Sequence, residues 1–111
     1  SRAAAAGTAR CEQVEFDREQ LAFRCGDATY ELLRAPVRSE RLFNIVSREA
    51  YTRRYYRVRL GRRAYAYKAV QMMDERYPRK VVLETGQGFR RVLLDLHGNV
   101  IAADRAADLG Q

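Results

Sequence analysis

From Lys80 to Asp104 the chain spells a strand meander. KVVLET, FRRVLLDL and VIAAD are apolar or alternating runs, and GQG and HGN place glycine at both connections. A two-residue turn at Gln87-Gly88 sets Lys80 against Asp95 and Glu84 against Arg91, both opposite-charge pairs. That register gathers Val81, Leu83, Val92, Leu94 and Leu96 on one face, joined by Ile101 and Ala103 from the third strand. An apolar sheet face must be covered by a second layer. The rest of the chain has to supply that layer.

Two segments offer helices for it. In ERLFNIVSREAY, residues 40–51, Ser39 is a candidate cap, and Leu42, Phe43, Ile45, Val46 and Ala50 share one arc of a helical projection. In RRAYAYKAVQMMDERY, residues 62–77, Tyr65, Ala66, Ala69, Val70, Met72, Met73 and Tyr77 do the same, and Pro78 closes the pattern. The second helix carries its charges the wrong way round for the macrodipole, with Arg62 and Arg63 at the start and Asp74 and Glu75 near the end. AYAYKAV also fits the second arm of a hairpin turning at Gly61. Between the two segments, residues 53–60 alternate, with Tyr56, Val58 and Leu60 on one face and Arg53, Tyr55, Arg57 and Arg59 on the other.

Cys11 and Cys25 flank EQVEF and LAFR, which read as a hairpin around DREQ. A three-residue loop puts the cysteines opposite each other; a four-residue loop pairs Phe16 with Leu21 and Val14 with Phe23 and leaves the sulfurs one position out of register. Either register suits a structural disulfide. Reduced buried thiols are the competing reading. Redox or metal chemistry is disfavoured, since the spacing is far wider than CxxC and there is one histidine. A disulfide implies an oxidising compartment, so the sequence points to a periplasmic or secreted protein, with the cytoplasm as the alternative. After Gly26-Asp27, TYELLRA is a third short strand.

The expected fold is α+β: an antiparallel sheet of the N-terminal hairpin, the central strand and the C-terminal three-stranded meander, covered on one face by two helices. Residues 11–104 form one domain, between a loose N-terminal tail at 1–10 and a C-terminal tail at 105–111. At 111 residues with 47% apolar side chains the chain can bury a modest core. No apolar run approaches the roughly 18 residues that a membrane-spanning helix requires.

Charge is the one feature that bears on function. Residues 51–68, YTRRYYRVRLGRRAYAYK, hold six arginines, one lysine and five tyrosines with no acid. The whole chain has 21 basic and 14 acidic side chains, so the net charge of +7 lies entirely in that stretch. Arg53, Arg57 and Arg59, with Arg62 and Arg63, are candidate contacts to phosphates or carboxylates, and Tyr55 a flat contact beside them. A solvated face with tyrosines packed as core is the plainer account of the same pattern.

No catalytic constellation accompanies it. His97 precedes the tight turn at Gly98-Asn99 and has only Asp95 close in sequence. GQG is a hairpin turn and no phosphate-cradling glycine loop. No metal-ligand spacing occurs, and no catalytic residue or cofactor is assigned. The sequence thus favours a non-catalytic exported binding domain that uses its basic surface against an acidic protein or an anionic envelope surface. An intracellular nucleic-acid-binding module is the alternative.

Overall fold

The computed structural model describes residues 11–111; the tail expected at 1–10 lies outside the described residues. Among the described residues nine strands follow one another: β1 (Glu15–Asp17), β2 (Ala22–Cys25), β3 (Ala28–Glu31), β4 (Arg38–Asn44), β5 (Glu49–Leu60), β6 (Arg63–Met72), β7 (Lys80–Thr85), β8 (Gly88–Leu94) and β9 (Val100–Ala106). They form two antiparallel sheets, β1-β2-β3 and β4-β5-β6-β7-β8-β9, each in sequence order. No helix occurs among the described residues, so the expected α+β fold with two covering helices is wrong.

Both misread segments are hairpin arms. Over 40–51 the apolar residues are split between β4 and β5 instead of sharing a helical face. Asn44 makes the turn: its side-chain oxygen accepts the backbone N–H of Val46 and Ser47, and its carbonyl accepts that of Arg48, which adopts a φ of 59°. Phe43, Ile45 and Val46 end up exposed at the tip. Over 62–77 the hairpin alternative is the correct one. Gly61 at the first loop position, with a φ of 65°, gives the backbone that a two-residue hairpin turn needs. Leu60 then pairs with Arg63, and Tyr65, Tyr67 and Ala69 turn inward in period two.

The second layer comes from the N-terminal residues. The three-stranded sheet packs on the inner face of the six-stranded one, burying Phe23, Tyr30 and Leu32 against Tyr56, Tyr65, Tyr67, Leu83 and Val92. Tyr30 meets Tyr67 edge-on at 5.2 Å. Arg18, in the β1–β2 loop, donates to the carbonyl of His97 and the side chain of Asn99, both at 3.2 Å, and so ties the small sheet to the β8–β9 turn. Gly98 in that turn has a φ of 81°, and a Cβ there would lie 2.9 Å from the Arg18 side chain.

Registers differ from the expected ones. The β7–β8 turn is at Gly86-Gln87, so Lys80 faces Leu93 and Glu84 faces Phe89. The slip is two residues, an even number, so Val81, Leu83, Val92 and Leu94 still share the buried face. Leu96 lies beyond the strand and is 62% exposed. A bulge between Leu93 and Leu94 pairs Leu94 with Val100, which turns Val100 to the core and leaves Ile101 63% exposed. In the N-terminal hairpin Phe16 pairs with Phe23, and their rings stack at 4.4 Å. Neither expected register holds there. Residues 11–14 instead bend back beside β2, and Cys11 forms a disulfide with Cys25 across a Cα–Cα distance of 4.8 Å.

Candidate anion-binding face

The β5–β6 hairpin pairs ten residues on each arm, from Tyr51↔Met72 to Leu60↔Arg63, and carries nearly all of the basic segment. Strand alternation divides it. Tyr56 is buried, and Val58 and Leu60 pack against the core from the same face, while Arg57 and Arg59 stand exposed on the other. Arg54 belongs to the inner set: it donates from Nε to the Tyr56 hydroxyl at 2.8 Å, from Nη1 to Thr52 Oγ1 and from Nη2 to Gln71 Oε1. Its charge holds the layer together and is not offered to a partner.

The outer face has two halves. In the first, Arg53 donates from Nε to Glu40 Oε1 at 2.9 Å, which raises its affinity for its proton above the ordinary arginine value. Arg38 sits 3.3 Å from the other oxygen of Glu40, and its guanidinium lies 4.3 Å above the Tyr55 ring. Arg53 and Tyr55 are therefore already engaged within the fold. In the second half Arg57 and Arg59 face Ala66 and Ala64 across the hairpin, and Arg62 occupies the turn. Among the described residues none of these three has an acid within ion-pair distance. Arg63, the last expected contact, reaches Glu84 at 3.4 Å and stacks over Tyr65 at 4.9 Å.

The structure adds residues that the sequence reading missed. Lys68 on β6, opposite Tyr55 on β5 and Val82 on β7, is 2% exposed. Burial lowers its proton affinity, and Lys80 and Arg53 nearby lower it further. Lys80 is lowered as well, first by burial and then by Arg91 and Arg53. A hairpin turn at Gly61 puts Lys68 opposite Tyr55, so the signal for this lysine lay in the register of that turn. Glu40 and Arg38 are hidden in the sequence because the pattern around them fits a loop followed by a helix as well as it fits strand β4.

His97 is exposed, and Asp95 does not orient its ring. The Asp95 carboxylate accepts the backbone N–H groups of Asn99 and His97, which hold its proton affinity below the ordinary carboxylate range and close the turn. Among the described residues no group of three or more His, Cys, Asp or Glu side chains could hold a metal ion. No helix among them is long and apolar enough to cross a membrane. Comparison of the chain with protein-family models, curated proteins and solved structures finds no match.

Proposed function

We propose that this is a non-catalytic exported binding domain that docks an acidic protein partner on the turn end of the β5–β6 hairpin. The observation that carries the reading is the row Arg57, Arg59 and Arg62, exposed and without an acid in reach among the described residues. Three solvated guanidiniums on a two-stranded ribbon match carboxylates on a partner surface and steer its approach. The Cys11–Cys25 disulfide supports an oxidising compartment. The nucleic-acid alternative keeps little of its aromatic platform: Tyr56, Tyr65 and Tyr67 are core and Tyr55 lies under Arg38, which leaves the half-buried Tyr51 to stack on a base.

The triple variant Arg57→Gln, Arg59→Gln, Arg62→Gln tests the reading. Wild type is expected to bind polyglutamate at low salt, and the variant to bind it at least about tenfold more weakly with an unchanged melting temperature. Equal binding by the two proteins, or none by wild type, overturns the proposal. Single-stranded DNA and anionic vesicles run beside it. Tighter binding to DNA, with a log–log salt slope that flattens by roughly 2 to 3 units in the variant, hands the site to nucleic acid.

A further inference from the structure

A second site lies on the same outer face, towards the other end of the hairpin. Between the β4–β5 turn and β7 the surface sinks into an open groove of about 390 Å³, within the range that takes a small organic ligand. Its floor and walls follow from strand pairing. Arg53, Val70 and Lys80 stand in one row across β5, β6 and β7, and Tyr51 and Met72 form the next row, one pleat repeat of about 7 Å along. Glu49 and the Asn44–Ser47 turn close the far end, and Arg79 stands at the rim. The groove is thus graded, with Arg53 and Lys80 at one end, an apolar and aromatic floor in the middle, and Glu49, 4.0 Å from Arg79, with turn polar groups opposite.

Two of the cations are held in place by acids. Arg53 gives its Nε to Glu40, which leaves its terminal nitrogens for another acceptor, and Arg79 is clamped by both oxygens of Glu75 at 2.6 to 3.2 Å. Lys80 differs. Its ammonium rests on the backbone carbonyl of Gln111, and no acid pairs with it among the described residues. Burial, Arg91 and Arg53 all disfavour its charge, so an anion placed there gains what the fold withholds. The count of charges limits the ligand. Glu40 is shared by Arg38 and Arg53, so Arg38, Arg53, Arg79, Lys80 and the buried Lys68 outnumber Glu40, Glu49 and Glu75, and the groove suits an anion.

We infer that this groove binds a small organic monocarboxylate with a flat apolar body, its carboxylate on Lys80 and Arg53, its body over Tyr51, Val70 and Met72, and a hydrogen-bond donor at its far end on Glu49. This site is separate from the Arg57–Arg62 row and does not depend on it.

The probes are 3-(4-hydroxyphenyl)propionate, 3-phenylpropionate, the neutral 3-phenylpropanamide and the dianionic phenyl phosphate, titrated into the isotopically labelled protein and followed by amide shifts. Saturable shifts confined to β5 up to Tyr55, β6 beyond Lys68, Arg79 and Lys80 at the start of β7, and the β4–β5 turn are expected for the two carboxylates. The amide should bind about tenfold or more weakly, since it forfeits a charge-assisted contact. Lys80→Met, which keeps an unbranched apolar side chain, should weaken the carboxylates to the level of the amide. Glu49→Gln should erase the advantage of the hydroxyl. Amide and carboxylate binding equally, phenyl phosphate binding tighter than either carboxylate, shifts centred on Arg57 to Arg62, or no saturable shift at all would each overturn the inference. The amide comparison uses the wild-type protein, so a variant that misfolds does not remove the test.

Discussion

Tyr56 and Tyr67 stack with ring centroids 4.8 Å apart and planes within 10°, and their hydroxyls donate to the carbonyls of two consecutive residues, Leu32 and Glu31, at 3.1 and 2.6 Å. The pair closes the gap between the two sheets where the chain leaves β3. Each ring supplies apolar area to the core, and each hydroxyl satisfies a carbonyl with no ladder partner.

Tyr67→Phe should therefore cost about 1 to 2 kcal/mol, because it keeps the stack and leaves the Glu31 carbonyl without its donor. Tyr67→Ala should cost about 3 to 5 kcal/mol, because it also opens a cavity beside Tyr30. Denaturant midpoints measure both. Equal losses for the two variants would mean that the hydroxyl, and not the ring, carries the contact.

The alternation that buries Tyr56 was legible, and the two hairpin arms that fit a helical arc were not. Tyr56, Val58 and Leu60 against Arg57 and Arg59 admit a single periodicity, so strand β5 and its two faces could be read directly. Leu42, Phe43, Ile45 and Val46 satisfy a helical arc and a hairpin equally well, and the decision was made by tertiary pairing that a local pattern does not contain. The reversed charges at Arg62, Arg63, Asp74 and Glu75 were the one local objection to the second helix. In the meander, pairing Lys80 with Asp95 looked favourable because the charges match, but exposed ion pairs are worth little beside turn geometry, and the turn at Gly86-Gln87 set the register. The same gap hid half of the candidate face. Arg53 looked free until β4 brought Glu40 beside it, and Lys68 and Lys80 met only through the β6–β7 ladder.

Alkaline pH should destabilise the fold after a rise. Burial pushes Tyr67 up to about 12, and Tyr30 higher still, from an ordinary value of 10.0. Between about pH 10 and 12 the unfolded chain has released these protons and the native one has not, so stability falls as pH rises through that window. The lysines act in the opposite sense. Lys68 and Lys80 are lowered from 10.5, the unfolded chain binds more protons below that value, and stability climbs towards it. Midpoints measured from pH 7 to 11.5 should pass through a maximum, and Tyr67→Phe should shallow the alkaline fall. A curve that stays flat above pH 10 would contradict the burial of these hydroxyls.

Lys68→Met should stabilise the protein at pH 7 by about 1 kcal/mol. The lysine is buried between Tyr55 and Val82 with no ion pair among the described residues, and burial, Lys80 and Arg53 disfavour its charge, so the substitution removes a disfavoured charge and keeps most of the side-chain volume. It should also flatten the climb in stability from pH 7 towards 10.5, which a change in packing alone would leave intact. Chemical denaturation of both proteins at pH 7 and pH 10 separates the two effects. A destabilised variant with an unchanged pH profile would show that the ammonium finds solvent or an acceptor in the native state.

Reduction of the disulfide should weaken the fold without dissolving it. Cys11 and Cys25 close a loop with a sequence separation of 14, for which constraint of the unfolded chain contributes about 3 kcal/mol. The bond also delivers Cys11 to the six-stranded sheet, where its N–H donates to Gln87 Oε1 at 3.0 Å and its carbonyl accepts from Arg90 Nη1 at 3.1 Å. Those two contacts join the start of the described chain to the β7–β8 hairpin, and they rely on Cys11 being held beside β2. The double variant Cys11→Ser, Cys25→Ser, or wild type under reductant, should unfold at a urea concentration lower by about 1 to 3 M, given slopes of roughly 1 to 3 kcal/mol/M. Its amide spectrum should change at residues 11–14 and around Gln87 and Arg90, and stay the same across β5 and β6. Identical midpoints for the oxidised and reduced proteins would remove the disulfide as a structural element, and with it the main support for an exported protein.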